Sequence, residues 1–447
     1  MKKVITYGSF DLFHEGHYNL LKRAKALGDY LIVGVTTEQY DETRGKLNIV
    51  DSLITRIDNV RATGFVDEVV VEDHMGQKIE DIKKFDIDVF TVGSDWTGKF
   101  DYLKEYCDVV YLERTRNVSS TIRRIEDNAI VKIGIVGTGR VAGRFPQEAK
   151  YVSGVTVSGA YNPHGEHAKE FADRLELSFG EDDYDRFLDK VDAVYIASPH
   201  ETHYEYAKIA LKHKKHVLCE KPMVFRRAQA EELFELSKAQ GCVLMEAIKT
   251  AYSPGFNQLV MMAKSGVIGE IRDVEASFTR LTDSVLREMT DAQYGGAFTE
   301  FGSYTLLPML KLLGREYKEV RFDSIKAENG IDVYTKASFV FDNGLALSKT
   351  GVGVKTEGQL MIAGTKGYIL AKSPWWLTQS FEVRFEDPNK KEIYSSKFMG
   401  KGLRYEISDF ARAITGDRNR GYKLTRGESI TMAGIMEEFL KQERCSE

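Results

Sequence analysis

Val131-Lys132-Ile133-Gly134-Ile135-Val136-Gly137-Thr138-Gly139-Arg140-Val141-Ala142-Gly143 reads as a buried strand, a glycine turn and the start of a helix. The apolar run 133–136 suits a strand covered on both faces. The Gly137-x-Gly139-x-x-Ala142 spacing is that of a dinucleotide-binding βαβ unit, whose helix N-terminus receives the pyrophosphate. Gly137, Gly139, Arg140 and Val141 are therefore candidate cofactor contacts. A second strand, 155–160, ends about 20 residues on, where an acidic residue ordinarily binds the ribose 2′-hydroxyl. Asn162 stands there instead, followed by Pro163 and His164. A neutral amide bonds a 2′-hydroxyl without repelling a 2′-phosphate, so NAD and NADP both remain open.

Downstream, strand 191–197 runs into Ser198, Pro199 and His203, and strand 217–219 runs into Glu220-Lys221-Pro222. Carboxyl ends of parallel strands are where such sheets bind ligands. The run Gly295-Gly296-Ala297-Phe298-Thr299-Glu300-Phe301-Gly302-Ser303-Tyr304 puts Glu300 and Tyr304 one turn apart on a helix face. As a bare pair they are more often a helix-surface pair than a catalytic one. From about residue 252 the pattern changes: 271–278, 320–325, 335–341, 345–350, 358–362 and 381–385 read as strands. Asp342-Asn343-Gly344 and Gly364-Thr365-Lys366-Gly367 read as hairpin turns, 428–442 as a closing amphipathic helix, and Trp375-Trp376 as packing.

Together these motifs resemble the glucose–fructose oxidoreductase / inositol dehydrogenase family across residues 131–447. Met245-Glu246-Ala247-Ile248 points to the dihydrodiol dehydrogenase-like branch. The resemblance implies Lys221 beside nicotinamide and substrate, with Ser198, Pro199, His203 and Glu220 around the cofactor. It makes Glu300 the acidic residue and Tyr304 the acid/base of a motif that usually carries Asp at the first position; Glu is one methylene longer. A phenol beside an ammonium is expected to donate a proton readily, because the cation favours the phenolate. The family's open sheet also implies a homo-oligomer, dimer or tetramer.

The fingerprint begins only after about 130 residues. There, 4–7, 30–35, 66–71, 88–92 and 109–112 read as strands and 18–27 and 79–85 as helices, a doubly wound parallel sheet. His14-Glu15-Gly16-His17 lies between the first strand and its helix. Two histidines at a helix N-terminus, with a glycine permitting close approach, suit a phosphate chain; a lone four-residue match could equally be a capping pair. Asp95 follows the fourth strand, and Arg114-Thr115-Arg116-Asn117-Val118-Ser119-Ser120-Thr121 follows the fifth.

This segment resembles the glycerol-3-phosphate cytidylyltransferases, within the HxGH nucleotidyltransferase superfamily, from Lys2 through Phe10-Asp11-Leu12, the HxGH, Arg56, Asp67-Glu68-Val69 and Gly93 to the Arg-Thr-x-x-x-Ser-x-Thr run. The resemblance implies CMP transfer from CTP to a phosphorylated alcohol, with release of pyrophosphate. His14 and His17 would hold phosphates and stabilise the transition state. Lys46, Arg56 and Arg114 would neutralise charge, Ser119 and Thr121 would cap a helix facing the outer phosphates, and Gly8, Phe10, Asp11, Asp95 and Thr115 would line the nucleotide. Mg²⁺ would accompany CTP. Positioning and charge neutralisation, rather than a covalent nucleophile, are what such chemistry needs. Asn117 stands at a usual glycine, and Arg116 replaces an acidic residue.

The bulk numbers agree. The chain has 447 residues, 43% hydrophobic and 29% charged, with a net charge of −5. That excludes a disordered chain and offers no reason to expect a nucleic-acid or membrane partner. Four dispersed cysteines without a CxxC pair, no signal-peptide pattern and no run of ~20 apolar residues lead us to expect a cytoplasmic protein with no resident metal. The expected fold is α/β throughout: a Rossmann-like nucleotidyltransferase domain (1–128), a dinucleotide-binding Rossmann domain (129–250), and an α/β domain on a large, mostly antiparallel open sheet (251–447), its last helix packing back on the Rossmann domain. Residues 120–128 read as the closing helix of the first domain, with no flexible tether after it. The leading functional expectation is a bifunctional enzyme that reduces a keto or aldehyde sugar phosphate with NAD(P)H and couples the resulting polyol phosphate to CTP. The alternatives are a non-catalytic second half, resting on Glu300, and AMP in place of CMP, against which the Arg-Thr-x-x-x-Ser-x-Thr run argues.

Overall fold

The computed structural model describes residues 1–49, 51–113, 130–416 and 423–444. Three sheets organise it. The first has five parallel strands in the order Glu68–Glu72, Tyr30–Thr36, Lys3–Gly8, Val89–Gly93 and Asp108–Leu112. Val4, Leu31, Val33 and Val35 are buried on one side, and Ile5, Ile32 and Phe90 on the other. The first helix, Glu15–Lys25, starts earlier than the apolar periodicity suggested, because His14 caps it by accepting the Gly16 N–H. Helices Glu38–Thr43 and Leu53–Ala62 were not anticipated. They start at Thr37 and Ser52, whose hydroxyls accept the Tyr40 and Thr55 amides, so short-range capping rather than an apolar stripe defines them. The helix expected over 120–128 lies outside the described residues.

The second sheet has six parallel strands: Leu244–Ala247, His216–Glu220, Ala193–Ile196, Val131–Val136, Val155–Tyr161 and Phe179–Glu181. The strand order reverses between Val131–Val136 and Ala193–Ile196, which opens a ligand crevice past their carboxyl ends.

The third sheet runs Tyr317–Lys326, Asp332–Phe341, Leu345–Gly351, Ile271–Thr279, Leu360–Gly364, Tyr368–Ala371, Ser380–Arg384 and Lys391–Ser395. Every neighbouring pair is antiparallel except Ile271–Thr279 with Leu345–Gly351. Helix Ala297–Leu313, buried along most of its length, packs on one face of this sheet. Trp375 is core: its indole donates to the Ser277 carbonyl at 2.8 Å, while Trp376 stacks on Phe278 with ring centres 3.7 Å apart. The last helix, Arg426–Arg444, buries Ile430 and Ala433 against the second sheet's core and Met432, Met436 and Phe439 against the third's. It welds the two together.

Candidate active sites

The turn after strand Lys3–Gly8 is strained. Phe10 (φ 51°) and Leu12 (φ 46°) both adopt left-handed backbone, costing about 1 kcal/mol or more each. A Cβ on Gly8 would already meet the Phe10 ring at 3.0 Å. Asp51 holds the turn: its amide donates to Asp11 Oδ1 at 2.8 Å and its carboxylate accepts the Leu12 N–H at 2.9 Å. The His14 and His17 rings stack with centres 3.9 Å apart, and a Cβ on Gly16 would lie 2.8 Å from His14 Cε1. Glycine is therefore what allows the pair to close. His14 Nδ1 accepts the Gly16 amide at 3.0 Å, which leaves the ring proton of its neutral form on Nε2. His17 Nδ1 is buried with no hydrogen-bond partner among the described residues. Burial, then the neighbouring His14 and Lys46, push the His17 imidazole well below its usual range.

Lys46 donates to Ser9 Oγ from the far side of this turn; burial lowers its ammonium pKa, while Asp41 and Asp11 pull it back. Arg56 sits behind the wall. It is fully buried, and its guanidinium donates to the carbonyls of Asp51 (3.0 Å), Ser9 (2.9 Å) and Thr36 (2.8 Å) and pairs with Glu38 at 3.0 Å. Asp95 lies 3.6 Å from Lys150. Arg114, Thr115, Ser119 and Thr121 lie outside the described residues.

In the second crevice, Gly137 has φ 100° and accepts no Cβ, which would lie 2.7 Å from the Ala197 carbonyl oxygen. Around a Cβ on Gly139 there is open space, the room a pyrophosphate needs. Asn162 donates to Thr138 Oγ1 at 2.8 Å and accepts the His164 N–H at 2.9 Å, bracing the glycine turn. Arg140 pairs with Glu288 at 3.0 Å across the crevice, while Val141 continues the turn. His203 is fully buried, with Nε2 3.0 Å from the Ser198 carbonyl and Nδ1 3.0 Å from that of Pro222. It ties together two loops at the strand ends, and Pro199 turns the first of these loops into its helix.

Lys221, Glu300 and Tyr304 converge. Lys221 Nζ lies 3.1 Å from Glu300 Oε1, donates to the Glu300 carbonyl at 2.8 Å, and sits 5.6 Å from the centre of the Tyr304 ring. Glu220 receives the Tyr195 hydroxyl at 2.5 Å and the Lys221 amide at 3.2 Å. The expected electrostatics of Tyr304 are reversed. Burial, then Glu220, Glu406 and Glu300, raise its phenol well above the ordinary 10. Lys221 sits beside the ring and pairs with Glu300, and burial with the surrounding carboxylates sets the direction of the shift.

Family descriptions match all three sheets. Residues 5–135 match "Cytidylyltransferase-like", 131–248 match "Oxidoreductase family, NAD-binding Rossmann fold", and 256–370 match the "GFO/IDH/MocA C-terminal domain". Glycerol-3-phosphate cytidylyltransferase from Bacillus spizizenii is 54% identical over 121 residues, 27% of this chain and 93% of its own. The chain belongs to both families. Its remainder is similar to scyllo-inositol 2-dehydrogenase (NADP(+)) from Bacillus subtilis, 28% identical over 70% of this chain and 97% of the relative. A 3-ketoreductase from Actinomadura kijaniata, solved with TDP-benzene and NADP in an open conformation, superposes with a TM-score of 0.58 at 25% identity, covering 69% of this chain and 96% of its own. The protein thus joins a cytidylyltransferase half to an NAD(P)-dependent oxidoreductase half. Among the described residues, no helix is long and apolar enough to cross a membrane.

Sequence reasoning missed two residues of the oxidoreductase half. Glu406 Oε2 is buried without a hydrogen-bond partner among the described residues, and burial, then Glu220, raise this carboxyl. Burial lowers the Lys249 ammonium, which Glu406 and Glu220 partly restore. Glu406 lies on helix Leu403–Ile414, and the spacing of Leu403, Ile407, Phe410 and Ala411 was the available signal for that helix.

Proposed function

We propose that the protein makes a CDP-activated polyol in two steps. The oxidoreductase half reduces a keto or aldehyde sugar phosphate, and the cytidylyltransferase half transfers CMP from CTP to the resulting polyol phosphate, of glycerol or ribitol type, releasing pyrophosphate. The observation that carries this reading is the presence, in one polypeptide, of a stacked HxGH pair and a converged Lys221–Glu300–Tyr304 cluster. Reduction creates the alcohol of a phosphorylated acceptor, and fusion raises the local concentration of that intermediate. The product suits the building of cell-surface polymers, in a cytoplasmic homo-oligomer with domains 1–128, 129–250 and 251–447.

His14 and His17 hold phosphates as hydrogen-bond partners, with Lys46 as the neutralising cation and Mg²⁺ carried in with CTP. Arg56 supports the turn from behind. Lys221 orients the carbonyl, Glu300 fixes Lys221, and Tyr304 exchanges the proton. Glu300 still reaches Lys221 despite its extra methylene, which supports a working oxidoreductase over a silent module. NADPH is the favoured cofactor: Asn162 presents no negative charge to a 2′-phosphate, and the inositol dehydrogenase relative is named for NADP(+).

The test is a one-pot assay with NADPH, CTP and a panel of keto-sugar phosphates, following NADPH oxidation, pyrophosphate release and the CDP-polyol itself. CDP-polyol formed only when both nucleotides are present supports the reading. Two halves that accept only unrelated substrates would sink it.

A further inference from the structure

The segment that carries Lys46 is not held by the cytidylyltransferase half alone. Leu47 forms a parallel bridge with Val152, its amide donating to the Tyr151 carbonyl at 2.7 Å and its carbonyl accepting the Ser153 amide at 2.9 Å. Asn48 donates to the Ser408 carbonyl at 3.1 Å and accepts the Ser408 hydroxyl at 2.9 Å. Arg404 Nη1 donates to the Gly45 carbonyl at 3.2 Å, and Lys397 donates to that of Thr43. Residues 43, 45, 47 and 48 are thus all tied to the oxidoreductase half, while the Lys46 side chain points back to Ser9.

Arg404 is itself built in. Its Nε and Nη2 donate to the two oxygens of Glu148, each at 3.1 Å, and its guanidinium lies 3.9 Å from the centre of the Tyr151 ring. Arg404 and Glu148 are 3% and 5% exposed. A buried bidentate pair of this kind fixes geometry more than it adds stability. The same stretch of chain also meets the other wall of the nucleotide site: Tyr151 packs edge-on to Trp96 at 5.9 Å and receives Lys99 Nζ at 3.3 Å, and Lys150 pairs with Asp95. Both loops that flank the HxGH turn therefore rest on residues 148–153 of the partner half.

We propose that the oxidoreductase half completes the CTP site, with Arg404 and Ser408 as positioning residues that set Lys46 against the nucleotide phosphates. The proposal rests on the cytidylyltransferase reading of the first half. A lysine on the connection between helices Glu38–Thr43 and Leu53–Ala62 loses phosphate affinity when its backbone wanders, because positioning and not charge alone sets the contact.

The test uses the full chain with CTP and sn-glycerol 3-phosphate as probes, measuring KM for CTP, kcat, CTP binding by calorimetry and NADPH binding by fluorescence. Ser408→Ala is expected to raise KM for CTP a fewfold. Arg404→Met combined with Glu148→Leu removes the Gly45 bond without stranding a buried charge, and should raise it tenfold or more. Both variants should keep wild-type NADPH binding, and Arg404→Lys should recover part of the loss. Unchanged CTP affinity and KM in Ser408→Ala and the double variant would overturn the proposal. So would a parallel loss of CTP and NADPH binding in both, which marks a merely structural contact. A wild-type protein that binds CTP without turning over this acceptor counts against the functional reading; the positioning claim is then decided by the CTP affinities of the variants.

Discussion

At Glu246, 3% exposed on strand Leu244–Ala247, burial raises the carboxyl to about 7 while one oxygen accepts the Met223 amide at 3.0 Å. A folded pKa above the unfolded value means the group stabilises fully below its unfolded pKa of 4.5 and loses that contribution as pH rises through 7. The shift is worth on the order of 3 kcal/mol. Glu246→Gln should therefore gain stability over wild type as pH climbs from about 4.5 to 7, read from urea midpoints; a difference constant with pH would place the titration elsewhere. Tyr304 gives a second residue-scale prediction. With its phenol held above the ordinary 10, it stays protonated throughout an assay between pH 6 and 9, so the reduction rate should show no alkaline limb from this group. Tyr304→Phe should slow hydride transfer roughly 10²–10⁴-fold, the usual contribution of general acid catalysis. A limb near pH 8 that vanishes in Tyr304→Phe would contradict the buried-phenol account. His17→Ala removes one phosphate donor and is expected to slow cytidylyl transfer by about 10²–10³-fold with NADPH binding intact. Joint loss would show that the halves cannot be separated.

At the scale of elements, two glycine turns govern the two sites by different means. Gly16 is required by the ring of His14, 2.8 Å from where a Cβ would stand, and Gly137 by backbone, with a Cβ 2.7 Å from the Ala197 carbonyl oxygen at φ 100°. A ring can yield slightly and a strand carbonyl cannot. Gly16→Ala should therefore fold and bind NADPH but lose cytidylyl transfer, whereas Gly137→Ala should lose NADPH binding and stability together. Circular dichroism melts alongside both activities would separate these outcomes. The strands and the HxGH helix were legible because burial on both faces leaves continuous apolar runs. Helices Glu38–Thr43 and Leu53–Ala62 were not, since their starts depend on Thr37 and Ser52 caps and their packing on Arg56. Strands Tyr368–Ala371 and Lys391–Ser395 were also missed: a four-residue strand inside the sheet, or a polar one at its edge, is defined by its neighbours' hydrogen bonds rather than by its own alternation.

For the whole molecule, the Arg404–Gly45 bond, the Asn48–Ser408 pair and the Leu47–Val152 bridge imply that the halves unfold together. A nicotinamide cofactor bound to the oxidoreductase half should by linkage raise the temperature of a single transition that includes the first half. Two transitions, with only one moving, would show that the interface does not couple them. The sequence by itself determined the two enzyme families, the parallel and antiparallel sheets and the residues at the strand ends, because these follow from local hydrophobic period and from motifs whose members lie within one turn. Only the tertiary structure decided that Arg56 is spent on backbone carbonyls, that Lys221 pairs with Glu300 beside the Tyr304 ring, and that Lys46 hangs from the other half of the chain. Each of these depends on which buried donor reaches which acceptor across tens to hundreds of residues, and local sequence carries no record of that distance.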